Sequence, residues 1–307
     1  MRILDTEDLH CLRKTRHEAL KQGIQFQVDQ LLNSEIAKRE IAAIYRCDLS
    51  LIISSYEMEL LKKILGIDAS LLCHLPFFLD SISEEAVQVW RSYEDRQHFV
   101  SIGTFLHAPN VDATLQLKNH IWKLIRKQIP NAELHVYGAY PTQQVLQMNN
   151  EKEGFFVHGF VDNAAKVIES SKVLLAPLRF GAGIKGKFTD AMQCGTPSVT
   201  TDIGAEGMHD DLPWSGFVET ELDKFVEKSV QLYSNKELWE RMQRNGIEII
   251  NQLYSKNDLE RTLLNKIDAQ FQHLKELRNK NFIGQMLQHH TLKSTKYLSK
   301  WIEEKNK

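Results

Sequence analysis

The sequence predicts an α/β chain organised on a parallel, doubly wound sheet, and three observations carry that expectation. Short apolar runs alternate with amphipathic helical stretches along most of the chain, the order that a parallel sheet with crossover helices requires. One run, residues 173–177, leads through the glycine-rich loop Gly181-Ala182-Gly183-Ile184-Lys185-Gly186-Lys187 into a helical stretch at 188–193, which Gly195 and Pro197 end. The composition is that of an ordinary globular protein, 307 residues with 42% hydrophobic and 25% charged side chains, enough chain for about two domains.

Taken in order, residues 1–4 begin as a short strand. Asp5-Thr6-Glu7-Asp8-Leu9-His10-Cys11-Leu12-Arg13 follows. Its acids beside a histidine fit acid–base work or a metal. They fit equally an acidic helix start, with Asp5 or Thr6 as cap and Glu7 and Asp8 in the first turn, and spacing alone favours the helix start. Residues 13–46 read as one or two helices, clearest over 34–45, where Ile36, Ala37, Ile41 and Ile44 share a face. Strands are expected at 49–53 and 71–75, with an amphipathic helix at 57–65 that Gly66 stops. Trp90 and Tyr93 read as packing residues. A strand at 98–103 opens the second half, and Pro109-Asn110 starts a helix through Lys127. Further strands fall at 133–138, 155–158, 198–200 and 216–218, and helices at 221–233, 236–254 and 257–277.

The net charge of −2 leaves no field for nucleic acid. Cys11, Cys47, Cys73 and Cys194 lack the paired spacing of a zinc site and read as small apolar residues in a reducing compartment. With no signal peptide and no long apolar run, a cytoplasmic protein is expected. The loop at 181–187 has its own chemistry. Glycines let backbone N–H groups approach a ligand, a helix start presents partial positive charge, and Lys185 and Lys187 add full charges. A phosphate or diphosphate suits that set. A plain tight turn with two solvated lysines fits the same residues, and the spacing is that of neither a P-loop nor a dinucleotide fingerprint.

Over a longer span the stretch is more specific. Pro-Leu-Arg-Phe-Gly-Ala-Gly-Ile-Lys-Gly-Lys, then Asp-Ala-Met-x-x-Gly-Thr-Pro-x-Val, then Thr-x-x-Gly-Ala-Glu-Gly resembles one subfamily of the group-1 glycosyltransferases of the GT-B type. The resemblance runs from about residue 5 to about residue 264. It implies one complete Rossmann-like domain at 97–264 that binds a nucleotide sugar. A remnant of an acceptor-side domain at 1–78 and a linker at 79–96 precede it, and a helical tail at 265–307 follows. It implies sugar transfer from a nucleotide diphosphate sugar to a glycan, lipid or small acceptor, with retention, without a metal and with no cofactor beyond the donor.

The donor-side residues by that match are Gly103 and His107, the turn Gly159-Phe160-Val161, the loop residues Gly181, Gly183, Ile184, Lys185 and Lys187, and Asp190. Asp190 stands at the second position of the family's Glu-x7-Glu pair, whose second glutamate binds the donor ribose; Ala182 stands where the first would fall. Where many members place an arginine and a lysine after the first strand, this chain has Phe105, His107 and Ala108. Asp5-x-x-Asp8-Leu9-His10-x-x-Arg13 matches the family's acceptor-side stretch, which makes Lys185, His10 and Asp8 the catalytic candidates and Asp5 and Arg13 acceptor-side ones.

The main departure is the short front, against about 150 residues for an ordinary domain. A partner chain that completes the first domain is therefore expected, or a non-catalytic nucleotide-sugar-binding subunit or relic. An epimerase of the same fold is a weaker alternative. At the far end, Tyr297 and Trp301 with Lys293, Lys296 and Lys300 fit either an anionic membrane surface, at the inner face of the membrane, or a terminal helix whose aromatic pair docks on the body. Docking is the expectation.

Overall fold

The computed structural model describes residues 1–306. The chain forms two compact units, Met1–Pro76 together with Asn257–Lys307, and Phe77–Lys256.

In the first unit, β1 (Ile3–Asp5), β2 (Leu49–Ile52) and β3 (Leu72–His74) form a three-stranded sheet in the order β1-β2-β3. Both pairings are parallel. The helices His10–Lys21 and Glu35–Arg46 belong to this unit, and Leu9, Leu12, Leu31, Ile44, Leu49 and Ile52 are among its fully buried apolar residues. The C-terminal helices belong here too. Gln270, itself buried, donates to the carbonyls of Asp48 at 2.7 Å and Ser70 at 2.6 Å. Arg278 grips the Asp48 carboxylate with two hydrogen bonds of 2.8 and 2.9 Å. Burial works to raise that carboxyl; the bonds from Arg278 and from the Arg2 N–H outweigh it and hold the acid below its usual range. Farther along, Asn281 donates to the Tyr45 carbonyl at 2.8 Å.

Two expectations are corrected in this unit. The helix expected at 257–277 is two, Lys256–Gln272 and Leu274–Lys280, and the break at His273 lets Gln270 and Arg278 both engage Asp48. The aromatic pair of the last helix, Phe282–Lys305, does not dock: Tyr297 and Trp301 are 63% and 59% exposed.

The second unit holds β4 (Gln97–Ile102), β5 (Leu134–Tyr137), β6 (Phe155–Gly159), β7 (Ser171–Ala176), β8 (Ser198–Thr200) and β9 (Gly216–Val218). They form one parallel sheet in the order β6-β5-β4-β7-β8-β9. Strand alternation divides its core in two. Phe99, Leu134, Val136, Val173 and Leu175 pack on one face with Trp122 and Trp239. Val100, Leu174 and Ala176 pack on the other with Phe188, Met192 and Ile249. Residues 79–96, read as a linker, lie within this unit: the Leu79 N–H donates to the Tyr254 carbonyl and the Lys256 N–H to the Leu79 carbonyl, at 2.9 Å each, and the Tyr93 hydroxyl donates to the Tyr233 carbonyl at 2.7 Å. Among the described residues no helix is long and apolar enough to cross a membrane.

Candidate functional site

In a parallel sheet the carboxyl ends of the strands are where the chain leaves its hydrogen-bonded ladder, and there three of this sheet's six strands give way to glycine. Gly103 follows β4, Gly138 follows β5, and Gly159 ends β6. The Gly103 N–H donates to the Tyr137 carbonyl at 3.1 Å and the Gly138 N–H to the Gly159 carbonyl at 2.7 Å, so the three ends are tied together. Close approach requires glycine at two of them. A Cβ on Gly138 would stand 2.2 Å from the Gly103 carbonyl oxygen, and one on Gly103 would meet the Asn110 carboxamide at 2.6 Å. Phe160, next in the chain after Gly159, is 69% exposed.

The glycine-rich loop meets this edge through one lysine. The helix after the loop is Gly186–Gln193, two residues longer at its start than predicted, and Lys185 is its N-cap, with no side-chain hydrogen bond to cap it. The Phe188 N–H donates to the Lys185 carbonyl at 3.0 Å. The N–H groups of a first turn have no partner within their own helix. Lys187 Nζ donates to Asn110 Oδ1 at 2.7 Å, and Asn110 Nδ2 in turn donates to the Thr104 carbonyl at 2.9 Å. Asn110 thus bridges the loop after β4 and the loop after β7. Burial of the ammonium group pushes Lys187 down to about 8. Lys185 Nζ turns back to the Gly183 carbonyl at 2.8 Å, while its N–H contacts Met208 Sδ. Asp190 lies on the exposed side of the same helix, and desolvation raises its carboxyl above the usual range.

Of the donor-side residues expected from sequence, the structure thus joins Lys187 to the Gly103 edge. It keeps Lys185 within its own loop, seats His107 as the N-cap of the helix Ala108–Gln116, and sets Gly159 and Phe160 at the end of β6. Val161 follows directly. Sequence reasoning missed Asn110. It also missed the bidentate ion pair between Arg179, just past β7, and Asp112 on the helix Ala108–Gln116, whose Nε–Oδ2 contact is 2.9 Å. The pair ties the loop after β7 to the helix that carries Asn110. The sequence signal for Asn110 is a side-chain amide in a helix's first turn beside a strand-ending glycine, a pattern too common to single out.

The acidic stretch of the first unit is a different kind of place. Asp8 takes two hydrogen bonds from Arg13, at 2.7 and 3.2 Å, and stands 3.4 Å from His10 Nε2. Asp5 accepts from the Glu7 N–H at 3.2 Å. The predicted acidic helix start does not form: the helix begins at His10, after the whole acidic run. Its first amides are taken by distant carboxylates, those of His10 and Cys11 by Glu40 at 2.9 Å each, and that of Leu9 by the fully buried Glu57 at 3.0 Å. None of the four cysteines forms a disulfide, and three of them, Cys11, Cys73 and Cys194, are buried, as packing residues should be. The sequence commits to no metal site; among the described residues one group of metal-ligating side chains lies together, His98, Glu133 and His135.

Fold and loop placement define an α/β chain with the GT-B fold. Residues 96–235 match the family model described as glycosyl transferases group 1. Several solved structures are similar. S. aureus TarM, a mutant in complex with fondaparinux, alpha-GlcNAc-glycerol and UDP, is 17% identical with a TM-score of 0.60, over 76% of this chain and 46% of that one. The GtfA/B complex is 17% identical with a TM-score of 0.55, over 80% of this chain and 48% of that one. Sucrose-phosphate synthase of Thermosynechococcus elongatus is 14% identical with a TM-score of 0.62, over 88% of this chain and 67% of that one. At these identities the likeness is one of fold. The match spans about half the length of the first two, 46% and 48%. No curated protein matches the chain.

Proposed function

We propose that this chain is a group-1 glycosyltransferase of the Gly-Ala-Gly-Ile-Lys-Gly-Lys subfamily. It takes a sugar from a nucleoside diphosphate sugar and transfers it to a glycan, lipid or small acceptor, with retention and without a metal ion at the diphosphate. The observation that carries this reading is the hold of Lys187 on Asn110 over Gly103. An ammonium group has three donors, and Asn110 uses one. A diphosphate at the glycine edge would take the others and restore to Lys187 the ionic partner that burial denies it. As the sugar departs, negative charge grows on the diphosphate. The Lys187 ammonium and the N–H groups of Gly186 and Lys187, in the first turn of Gly186–Gln193, stand ready to stabilise it without reorganising. Lys185 adds a second positive charge to the loop. Asp190 is the acceptor for the ribose hydroxyls, and the open ring of Phe160 is the platform for the base. On the acceptor side, Arg13 is hydrogen-bonded to Asp8, which stands 3.4 Å from His10 Nε2, with Asp5 earlier in the same stretch.

A second reading, a nucleotide-sugar-binding subunit that works with another chain, draws support from the span of the match and from one similar structure, which is itself a complex, GtfA/B. For a lipid acceptor, the exposed Leu292, Tyr297, Leu298 and Trp301 beside Lys293, Lys296 and Lys300 suit an anionic membrane surface.

The test is a calorimetric titration with a panel of nucleoside diphosphate sugars, followed by an assay of nucleotide release with candidate acceptors. One sugar nucleotide should bind, and Lys185→Ala and Lys187→Ala should both weaken it. Binding with no release under any acceptor favours the subunit reading. Unchanged binding in both lysine variants overturns the diphosphate assignment.

A further inference from the structure

The geometry points to a divalent-cation site, best matched by Zn²⁺, formed by His98, Glu133 and His135 at the amino ends of β4 and β5. One ligand atom from each residue lies within 4.8 Å of the others. Glu133 Oε2 stands 3.0 Å from His135 Nε2 and 3.5 Å from His98 Nε2. With bonds of about 2.1 Å, neighbouring ligands of a tetrahedral zinc are about 3.4 Å apart, so small side-chain adjustments would close the set around a metal. Two imidazoles and one carboxylate are ligand types zinc accepts, and three protein ligands leave a fourth position open. Beside His98 and His135 opens a cavity of about 370 Å³, with Arg91 and Asp95 on its lining. A water or a small anion has room there to complete the coordination.

The fold prepares the residues for this. Parallel register sets Phe99 opposite Leu134, which brings the preceding residues, His98 and Glu133, level at the start of their strands, and Val100 opposite His135. His98 holds a left-handed backbone, φ 61°, uncommon outside glycine but adopted more readily by asparagine, aspartate and histidine than by other residues. Its N–H donates to the Tyr233 hydroxyl at 3.3 Å, and its ring lies 5.2 Å from that of His135. His135 also has the outer partner that metal-bound histidines use: its Nδ1 is 2.8 Å from His158 Nε2, the residue at the register shift between β5 and β6. With Nε2 on the metal, Nδ1 carries the proton and donates it to His158.

The site is separate from the donor loop. His98 and Gly103 stand at opposite ends of β4, roughly 16 Å apart at 3.3 Å per residue. The metal would pin two strand starts together, and the diphosphate chemistry proposed above would remain metal-independent.

Tag-free protein, stripped with chelator, should take up one equivalent of Zn²⁺ by equilibrium dialysis. Its Co²⁺ form should show the intense visible bands of a low-coordinate nitrogen–oxygen site. Saturating Zn²⁺ should raise Tm by about 5 °C. His98→Asn keeps a residue that tolerates the left-handed backbone, and Glu133→Gln keeps the size; each should lose the bands and weaken Zn²⁺ by about 100-fold or more. His158→Phe keeps a stacked ring and should weaken it by about 10- to 100-fold. The proposal is overturned if the wild type takes up no Zn²⁺, or if both ligand variants, folded by circular dichroism, bind it as the wild type does.

Discussion

Two helix starts in this protein have been treated in opposite ways. The helix His10–Lys21 begins with its amides already occupied by the protein's own carboxylates, Glu40 and Glu57. The helix Gly186–Gln193 begins with no cap from its N-cap side chain, between Lys185 and Lys187 and beside a glycine-lined sheet edge. Both starts offer the same dipole and the same orphan N–H groups. The first is satisfied, and an anion brought to it meets negative charge. The second carries positive charge, from Lys185 and Lys187. Helix starts alone therefore do not mark a site; what fills them does.

The comparison can be broken at either end, and the largest effect is expected at Lys187. Lys187→Ala should weaken binding of the preferred nucleoside diphosphate sugar by about 10- to 100-fold, the worth of one charge-assisted hydrogen bond, as read by calorimetry at pH 7. Its thermal stability should hold or rise, because a desolvated cation is removed. At the satisfied start the roles reverse. Glu40→Ala should cost about 1–2 kcal/mol of stability through two uncapped amides, measured by urea unfolding, while donor affinity stays at the wild-type value. Equal losses of binding in the two variants would erase the distinction drawn here.

A pH titration sharpens the same contrast. Lys187 sits near 8 in the free protein, down from 10.5. Its depressed value means that the charged form costs stability below pH 8, a cost relieved as pH rises from 8 towards 10.5. Ligand binding works the other way, since the diphosphate of a sugar nucleotide keeps its charge and needs the ammonium. Donor affinity should be level to pH 7 and fall by about tenfold by pH 9, and the fall should vanish in Lys187→Ala. Smallest is Asp190→Asn, which keeps a hydrogen-bond acceptor. It should lower donor affinity by about 3- to 10-fold, with a nucleoside diphosphate sugar losing more than inorganic diphosphate, which lacks the ribose.

Local punctuation explains which parts of this were legible in the sequence. The strands Ser198–Thr200 and Gly216–Val218 were read to the residue, the first closely preceded by Gly195 and Pro197 and the second opened by Gly216. The glycine loop and its two lysines were legible for the same reason. The start of the first helix was not, because capping rules look a few residues away and its carboxylates come from Glu40 and Glu57. His98, Glu133 and His135 stayed hidden because only the parallel register of β4 and β5 brings them level. Asn110 was passed over as an ordinary helix opener; its role lies in what Lys187 does across the gap between two loops. The helices on either side of the break at His273 both bind Asp48, more than two hundred residues earlier in the chain, a contact no local pattern shows.

In the proposed function the Lys187 ammonium holds the donor's diphosphate at the glycine edge. The most direct measurement of that hold is proton uptake during calorimetric titration of the preferred sugar nucleotide at pH 8.5, in two buffers of different ionisation enthalpy. At that pH about three-quarters of Lys187 is uncharged in the free protein, so binding should draw in about 0.7 proton per site, and Lys187→Met should draw in none. Binding with no proton uptake in the wild type, or the same uptake in Lys187→Met, would contradict the account.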